Sequence, residues 1–146
     1  MNVALKEVNN DKDIEVFGKY KLELVKSHQQ YAQKLGLFDN IVDNYSYEDA
    51  IRHINEEGYF QFLIQLNNET VGIMEYQITD SIIDKKKILY IKILYIKDNF
   101  REKEIGKKVI ESLKKLNYRI ELECWYGMPA NNLYKSLEIK TRYMLN

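Results

Sequence analysis

The sequence predicts a mixed α/β fold, a mostly antiparallel central sheet flanked by helices, and three observations predict it. Ile14, Phe17, Leu22 and Val25 recur at helical spacing near the start of the chain. The period then changes to strand-like runs at residues 60–66, 71–78 and 87–97, the first two separated by the turn-forming Asn67-Asn68-Glu69-Thr70. Beyond the third run, KKKILYIKILYIKDN gives way to FREKEIGKKV and helical spacing returns, so a strand feeds directly into a helix.

Each element has a local cause. Residues 3–8 alternate as a first strand, and the Asn/Asp cluster at 9–13 can cap a helix over 14–27. Ser46-Tyr-Glu-Asp has the form of an N-terminal cap, so a second helix is expected from Ser46 to Gly58. Val109, Ile110, Leu113 and Leu116 mark a helix starting at Gly106. Residues 119–125 read as a strand, 131–137 as a short helix and 140–145 as a closing strand. The order is β, α, α, β, β, β, α, β, α, β. One domain over residues 1–146 is expected, because there is a single proline, Pro129, and no Gly/Ser linker or repeat.

Composition narrows the function. No window approaches the roughly 18 to 20 consecutive apolar residues of a membrane span, and residues 1–10 lack the apolar centre of a secretory signal, so a cytoplasmic protein without a membrane partner is expected. A lone cysteine, Cys124, cannot form an internal disulfide or a cysteine metal cluster, and two distant histidines add no metal site. It alternates with Ile120 and Leu122, which assigns it to the core. The 22 basic residues balance 22 acidic ones, which leaves no global field for nucleic acid. Recognition by charge must be local.

One local concentration stands out. Lys97, Arg101, Lys103, Lys107 and Lys108 outnumber Asp98, Glu102 and Glu104 at the strand-to-helix junction. A helix start leaves backbone N–H groups unpaired and carries the positive end of the peptide dipole, so the junction suits an anion. Gly106 removes a side chain where a ligand or neighbouring strand can approach.

The element order and this junction together resemble the GNAT acetyltransferase superfamily, in which a long strand ends in an Arg/Gln-x-x-Gly-x-Gly/Ala loop around the pyrophosphate of acetyl-CoA. In ILYIKDNFREKEIGKKVIESL, Arg101 falls on the Arg/Gln, Glu104 on the first glycine and Gly106 on the second. IELECWYGMPANNLYKSLEIKTRYM is similar to the family's later block through Ala130, Leu133, Tyr134 and Leu137. The departures are Glu104 for glycine, Gly127 for asparagine and Glu138-Ile139 for Gly-Phe. The resemblance runs from about Phe60 onward.

That resemblance implies direct transfer of an acetyl group from acetyl-CoA to a primary amine of a small molecule or peptide, without a metal. It assigns Leu94, Tyr95 and Ile96 to the pantetheine arm and Arg101, Glu102, Lys103, Glu104, Ile105, Gly106 and Lys107 to the pyrophosphate; Asn131 and Asn132, out of register with the family's asparagine, are the candidates for the missing amide. The thioester oxygen needs a backbone donor, and Ile96 or its neighbour is the candidate. Tyr134 stands where the family places the acid that protonates the departing thiolate. Glu75 and Glu123 are the candidates for the base, while Lys92 occupies a region where many relatives carry an acid. Asp49 and His53, four apart, read as a surface pair. The segment QKLGLFDNIVDNYSYED, with Tyr31 before it, combines Tyr31, Phe38, Tyr45 and Tyr47 with Asp39, Asp43, Glu48 and Asp49, a rim suited to a cationic amine. A homodimer is compatible with this reading. The rival is a non-catalytic CoA-binding or partner-binding domain with a degenerate loop.

Overall fold

Among the described residues, six strands form one sheet in the order of the chain, and the strand-to-helix junction lies on its fourth strand. The computed structural model describes residues 2–34, 45–101, 104–125 and 140–144, the backbone alone at 31–33, 123–125 and 140–144. The elements are β1 (Val3–Glu7), α1 (Asp11–Lys34), α2 (Tyr47–Ile51), β2 (Tyr59–Leu66), β3 (Glu69–Asp80) and β4 (Lys87–Ile96). A 3-10 turn (Asp98–Phe100), α3 (Ile105–Lys114), β5 (Arg119–Trp125) and β6 (Lys140–Met144) complete them. The expected helix at 131–137 lies outside the described residues.

The first four strands pair antiparallel, and β4–β5 and β5–β6 pair parallel. The mixed, mostly antiparallel sheet expected from the sequence is therefore the one observed. Boundaries differ for local reasons. Asn10 Oδ1 accepts the Asp13 N–H at 2.9 Å, which starts α1 three residues earlier than expected, at Asp11. The helix also continues past Ser27 to Lys34, because no glycine or proline interrupts the polar stretch.

The second helix is shorter than expected. Ser46 and Asp49 form a reciprocal capping box, with Ser46 N–H donating to Asp49 Oδ2 at 2.8 Å and Asp49 N–H to Ser46 Oγ at 3.2 Å. Helical geometry nevertheless ends at Ile51. Asn55 (φ 69°) and Gly58 (φ 85°) adopt left-handed backbone that an α-helix does not contain, so Gly58 closes a turn and not the helix. In the β2–β3 hairpin only Asn67 (φ 50°) and Asn68 (φ 70°) form the turn. Two consecutive positive φ values match the twist of the flanking strands, so Glu69 and Thr70 already belong to β3.

Two clusters cover the two faces of the sheet. On one, Ile105, Val109, Ile110 and Leu113 of α3 pack with Ile64, Met74, Tyr76, Leu89 and Ile91. On the other, Phe17 and Tyr20 of α1 pack with Leu63, Ile73, Ile93 and Tyr95. Within β4, Leu89 and Ile91 join the first cluster and Ile93 and Tyr95 the second, although unbroken alternation would keep all four on one face. The β3–β4 register explains this switch. Glu75 pairs with Ile93 and Tyr76 with Ile91, which leaves Lys92 as the extra residue of a β-bulge.

Candidate active site

The bulge coincides with a split in the sheet. β4 and β5 pair only from Ile88–Arg119 to Ile91–Leu122, yet β4 runs on to Ile96 and β5 to Trp125. The β5-facing backbone edge of Lys92 to Ile96 is thus left without a β5 partner. An extended ligand carrying amide groups can pair with such an edge as a strand would.

At the far end of this edge, α3 begins. Its first intrahelical bond runs from Lys108 N–H to Glu104 C=O at 3.1 Å, so the N–H groups of Ile105, Gly106 and Lys107 precede the ladder at the positive end of the helix. Glu104 is the N-cap with φ 60° and ψ 17°, is exposed, and makes no side-chain capping bond. Ile105 and Gly106 are buried, while Lys107 and Lys108 are exposed. Arg101 turns back onto the strand end. Its Nε donates to Ile96 O at 2.8 Å, one Nη pairs with Asp98 at 2.6 Å, and the guanidinium lies 5.5 Å from the Tyr95 ring centre.

At the near end, beside the bulge, Glu75 is 1% exposed. Tyr59, Gln61 and Leu63 alternate onto the α1 face of β2, and Glu75 shares that face with Ile73. Gln61 Nε2 bridges two acceptors, Glu75 Oε2 at 3.0 Å and the His53 carbonyl at 3.0 Å. Burial pushes the Lys21 ammonium below its ordinary pKa; Glu75 opposes this, Lys92 and Arg52 reinforce it, and Asp49 opposes it. Burial likewise raises the Tyr45 phenol, with Asp49 and Glu75 adding to the rise and Arg52 opposing it. These side chains therefore share one electrostatic neighbourhood. Its outer wall is aromatic: Lys92 Nζ lies 5.5 Å over the Tyr59 ring, which stacks on His53 at 4.3 Å.

The profile of the acetyltransferase (GNAT) family matches residues 21–138, most of the chain. The chain belongs to the GNAT acetyltransferase family. It is accordingly an acyltransferase, of a family that uses acetyl-CoA. No curated protein sequence matches it significantly. Among solved structures, a mutant of the BH1408 protein from Bacillus halodurans superposes with a TM-score of 0.74 at 15% identity, over 100% of this chain and 97% of that one. AAC(6')-Iy in complex with the bisubstrate analogue CoA-S-monomethyl-acetylneamine gives 0.68 at 11% identity over the same shares. An aminoglycoside acetyltransferase from an uncultured soil metagenomic sample gives 0.67 at 15% identity, again over 100% and 97%. At these identities the likeness speaks for the GNAT fold alone.

Within the GNAT framework, the expected site residues divide into three groups. Leu94, Tyr95 and Ile96 form the open end of β4, onto which Arg101 folds back, and Glu104, Ile105, Gly106 and Lys107 form the start of α3. Glu75 lies at the apex of the split, where Ile93 pairs with it. Glu102, Lys103, Asn131 and Tyr134 lie outside the described residues, as do Phe38, Asp39 and Asp43 and the side chains of Tyr31, Glu123, Cys124 and Trp125. Asp49 and His53 do not form the expected pair: Asp49 caps α2, and His53 Nδ1 meets Glu56 at 2.6 Å. Sequence reading passed over Gln61, Lys21, Arg52 and Tyr59. None of the four carried a signal: even Gln61 stands opposite Glu75 only through the register shift between Ile64 and Gln65.

Among the described residues, no helix is long and apolar enough to cross a membrane. Nor does any group of three or more His, Cys, Asp and Glu among them suit a metal ion.

Proposed function

We propose that this protein transfers the acetyl group of acetyl-CoA to a primary amine of a small molecule or peptide by direct attack, with Glu75 as the base. The observation that carries this reading is a buried carboxylate at the apex of the β4–β5 split, beside the strand edge suited to the pantetheine arm. The edge from Leu94 to Ile96 holds that arm, and the backbone N–H groups of residues 105–107, with the Lys107 charge, receive the pyrophosphate.

The chemistry follows from these positions. An amine reacts only in its neutral form, so a proton must leave it before or during attack. Glu75 takes that proton, directly or through one water, while Gln61 Nε2 donates to its Oε2 and fixes the carboxylate. The amine nitrogen bonds to the thioester carbon, and a backbone N–H near Ile96 stabilises the charge that grows on the thioester oxygen. The C–S bond then breaks, the thiolate takes a proton from Tyr134, a role that rests on the sequence resemblance, and the proton that the new amide nitrogen must still shed returns to the phenolate.

The test is calorimetry with acetyl-CoA together with release of free CoA thiol in the presence of amines. Glu75→Gln is expected to lower kcat/KM by about 10² to 10⁴-fold, most at neutral pH, with acetyl-CoA affinity unchanged. Tyr134→Phe is expected to lower turnover with equally little effect on that affinity. Full activity in the Glu75 variant removes it as base, and no binding at millimolar acetyl-CoA removes the acetyl-transfer reading altogether.

A further inference from the structure

The charge around Glu75 is unbalanced in a way that bears on the acceptor. Among the described residues, three cations, Lys21, Arg52 and Lys92, share this electrostatic neighbourhood with the carboxylates of Glu75 and Asp49. Asp49 is committed elsewhere, because it accepts from both Ser46 N–H (2.8 Å) and Ser46 Oγ (3.0 Å) at the start of α2. Among the described residues, no carboxylate oxygen stands within 4.0 Å of Lys21, Arg52 or Lys92. Arg52 and Lys92 are exposed, and Lys21 is partly buried within electrostatic reach of both and of Glu75.

We infer that the acceptor is an amino acid in the broad sense, a primary amine that also carries a carboxylate. Its amino group lies against Glu75, and its carboxylate is received by Lys92 and Arg52, with Lys21 behind them. This deepens the acetyl-transfer reading and rests on it.

Physical grounds favour this acceptor over a polycation. A diamine or a polyamine would bring a second ammonium into a neighbourhood that already holds three positive side chains, and each pair would repel in a partly desolvated site. A carboxylate reverses the sign of every one of those terms. It also supplies a counter-charge to Lys21, whose ammonium is partly buried and has no carboxylate partner within contact among the described residues. The β-bulge serves the same arrangement, since it turns Lys92 out of the strand alternation and sets its ammonium over the Tyr59 ring. The acidic rim expected from the sequence is reduced on the described side. Asp49 is spent on its cap, and the Tyr47 ring packs where a Cβ on Gly18 would stand.

The test compares CoA release from acetyl-CoA with the standard α-amino acids and β-alanine as probes, each beside its own carboxamide. At least one acid is expected to exceed its amide by about tenfold or more in kcat/KM, mainly through KM. Lys92→Met and Arg52→Gln, at exposed positions, are expected to bring that ratio towards one with acetyl-CoA affinity unchanged. Lys92→Glu should favour the amide. Amides turned over as well as acids, a ratio unmoved by these substitutions, or silence across all probes while acetyl-CoA binds would each overturn the inference. Absence of acetyl-CoA binding would instead remove the acetyl-transfer reading beneath it, and the inference with it.

Discussion

At Glu104 the backbone takes φ 60° and ψ 17°, a region where an L side chain crowds its own carbonyl at a cost of about 1 to 2 kcal/mol and glycine does not. The chain has thus kept the loop shape that a glycine would suit while carrying a carboxylate there. Glu104→Gly relieves the strain but loosens the unfolded chain, and the two effects nearly offset, so thermal denaturation should find stability unchanged or raised by up to about 1 kcal/mol. The same change removes a negative charge from the proposed pyrophosphate cradle. Because the residue is exposed, screening limits the gain, and calorimetry should find acetyl-CoA affinity about five- to tenfold higher. Weaker binding would mean that the Glu104 charge does not oppose the cofactor. This position was legible in the sequence as a departure from the family motif, whereas its left-handed backbone was not. Glu75 was legible as a strand carboxylate, but its burial depended on bulges that local spacing does not announce.

Bulges set the register of the central elements. With the two-residue turn at Asn67-Asn68 and no irregularity, Gln61 would pair with Met74; the shift between Ile64 and Gln65 pairs it with Glu75 instead. The long apolar run of β4 showed its strand character plainly, yet Lys92 looked like any central residue, because a bulge has no residue signature of its own. Helix ends were partly legible: Ser46 declared its cap, while α1 outlasted its apolar stripe because nothing stopped it. Two glycines now allow the elements to be tested separately. A Cβ on Gly18 of α1 would collide with the Tyr47 ring and crowd Ile51 Cγ2 at 3.2 Å, so Gly18→Ala should push α2 outward and cost about 1 to 3 kcal/mol. Asp49 and Arg52 would move with it, and KM for the acceptor should rise while acetyl-CoA affinity holds. A Cβ on Gly72 would instead strike the Tyr95 carbonyl, backbone that cannot swing aside, so Gly72→Ala should weaken acetyl-CoA binding through the open end of β4. Equal effects of the two variants on both ligands would contradict the division of the site.

The whole sheet depends on a short join. Only four residue pairs, from Ile88–Arg119 to Ile91–Leu122, hold the antiparallel half to β5 before the strands separate. Arg119 reinforces the closed end. Its two Nη atoms donate to Asp84 at 2.7 and 2.9 Å on the β3–β4 connection, and Nε and one Nη reach the buried Glu121 at 3.2 and 3.0 Å. The Arg119 hydrogen bonds, followed by the Lys86 N–H, hold the Asp84 carboxyl well below the usual carboxylate range. An unfolded aspartate titrates near about 3.9, so folded Asp84 binds its proton less readily than the unfolded chain does. The stability this linkage lends is complete above that value and is lost as the pH falls from there towards the lower folded value. Urea midpoints of the native protein and Asp84→Asn should therefore differ by a constant amount above about pH 5 and converge below about pH 4. Other carboxylates protonate over the same range, but they are common to both proteins and cancel in the difference. A gap that persists unchanged at about pH 2.5 would show that Asp84 acts through shape alone and that its charge does not close the base of the split.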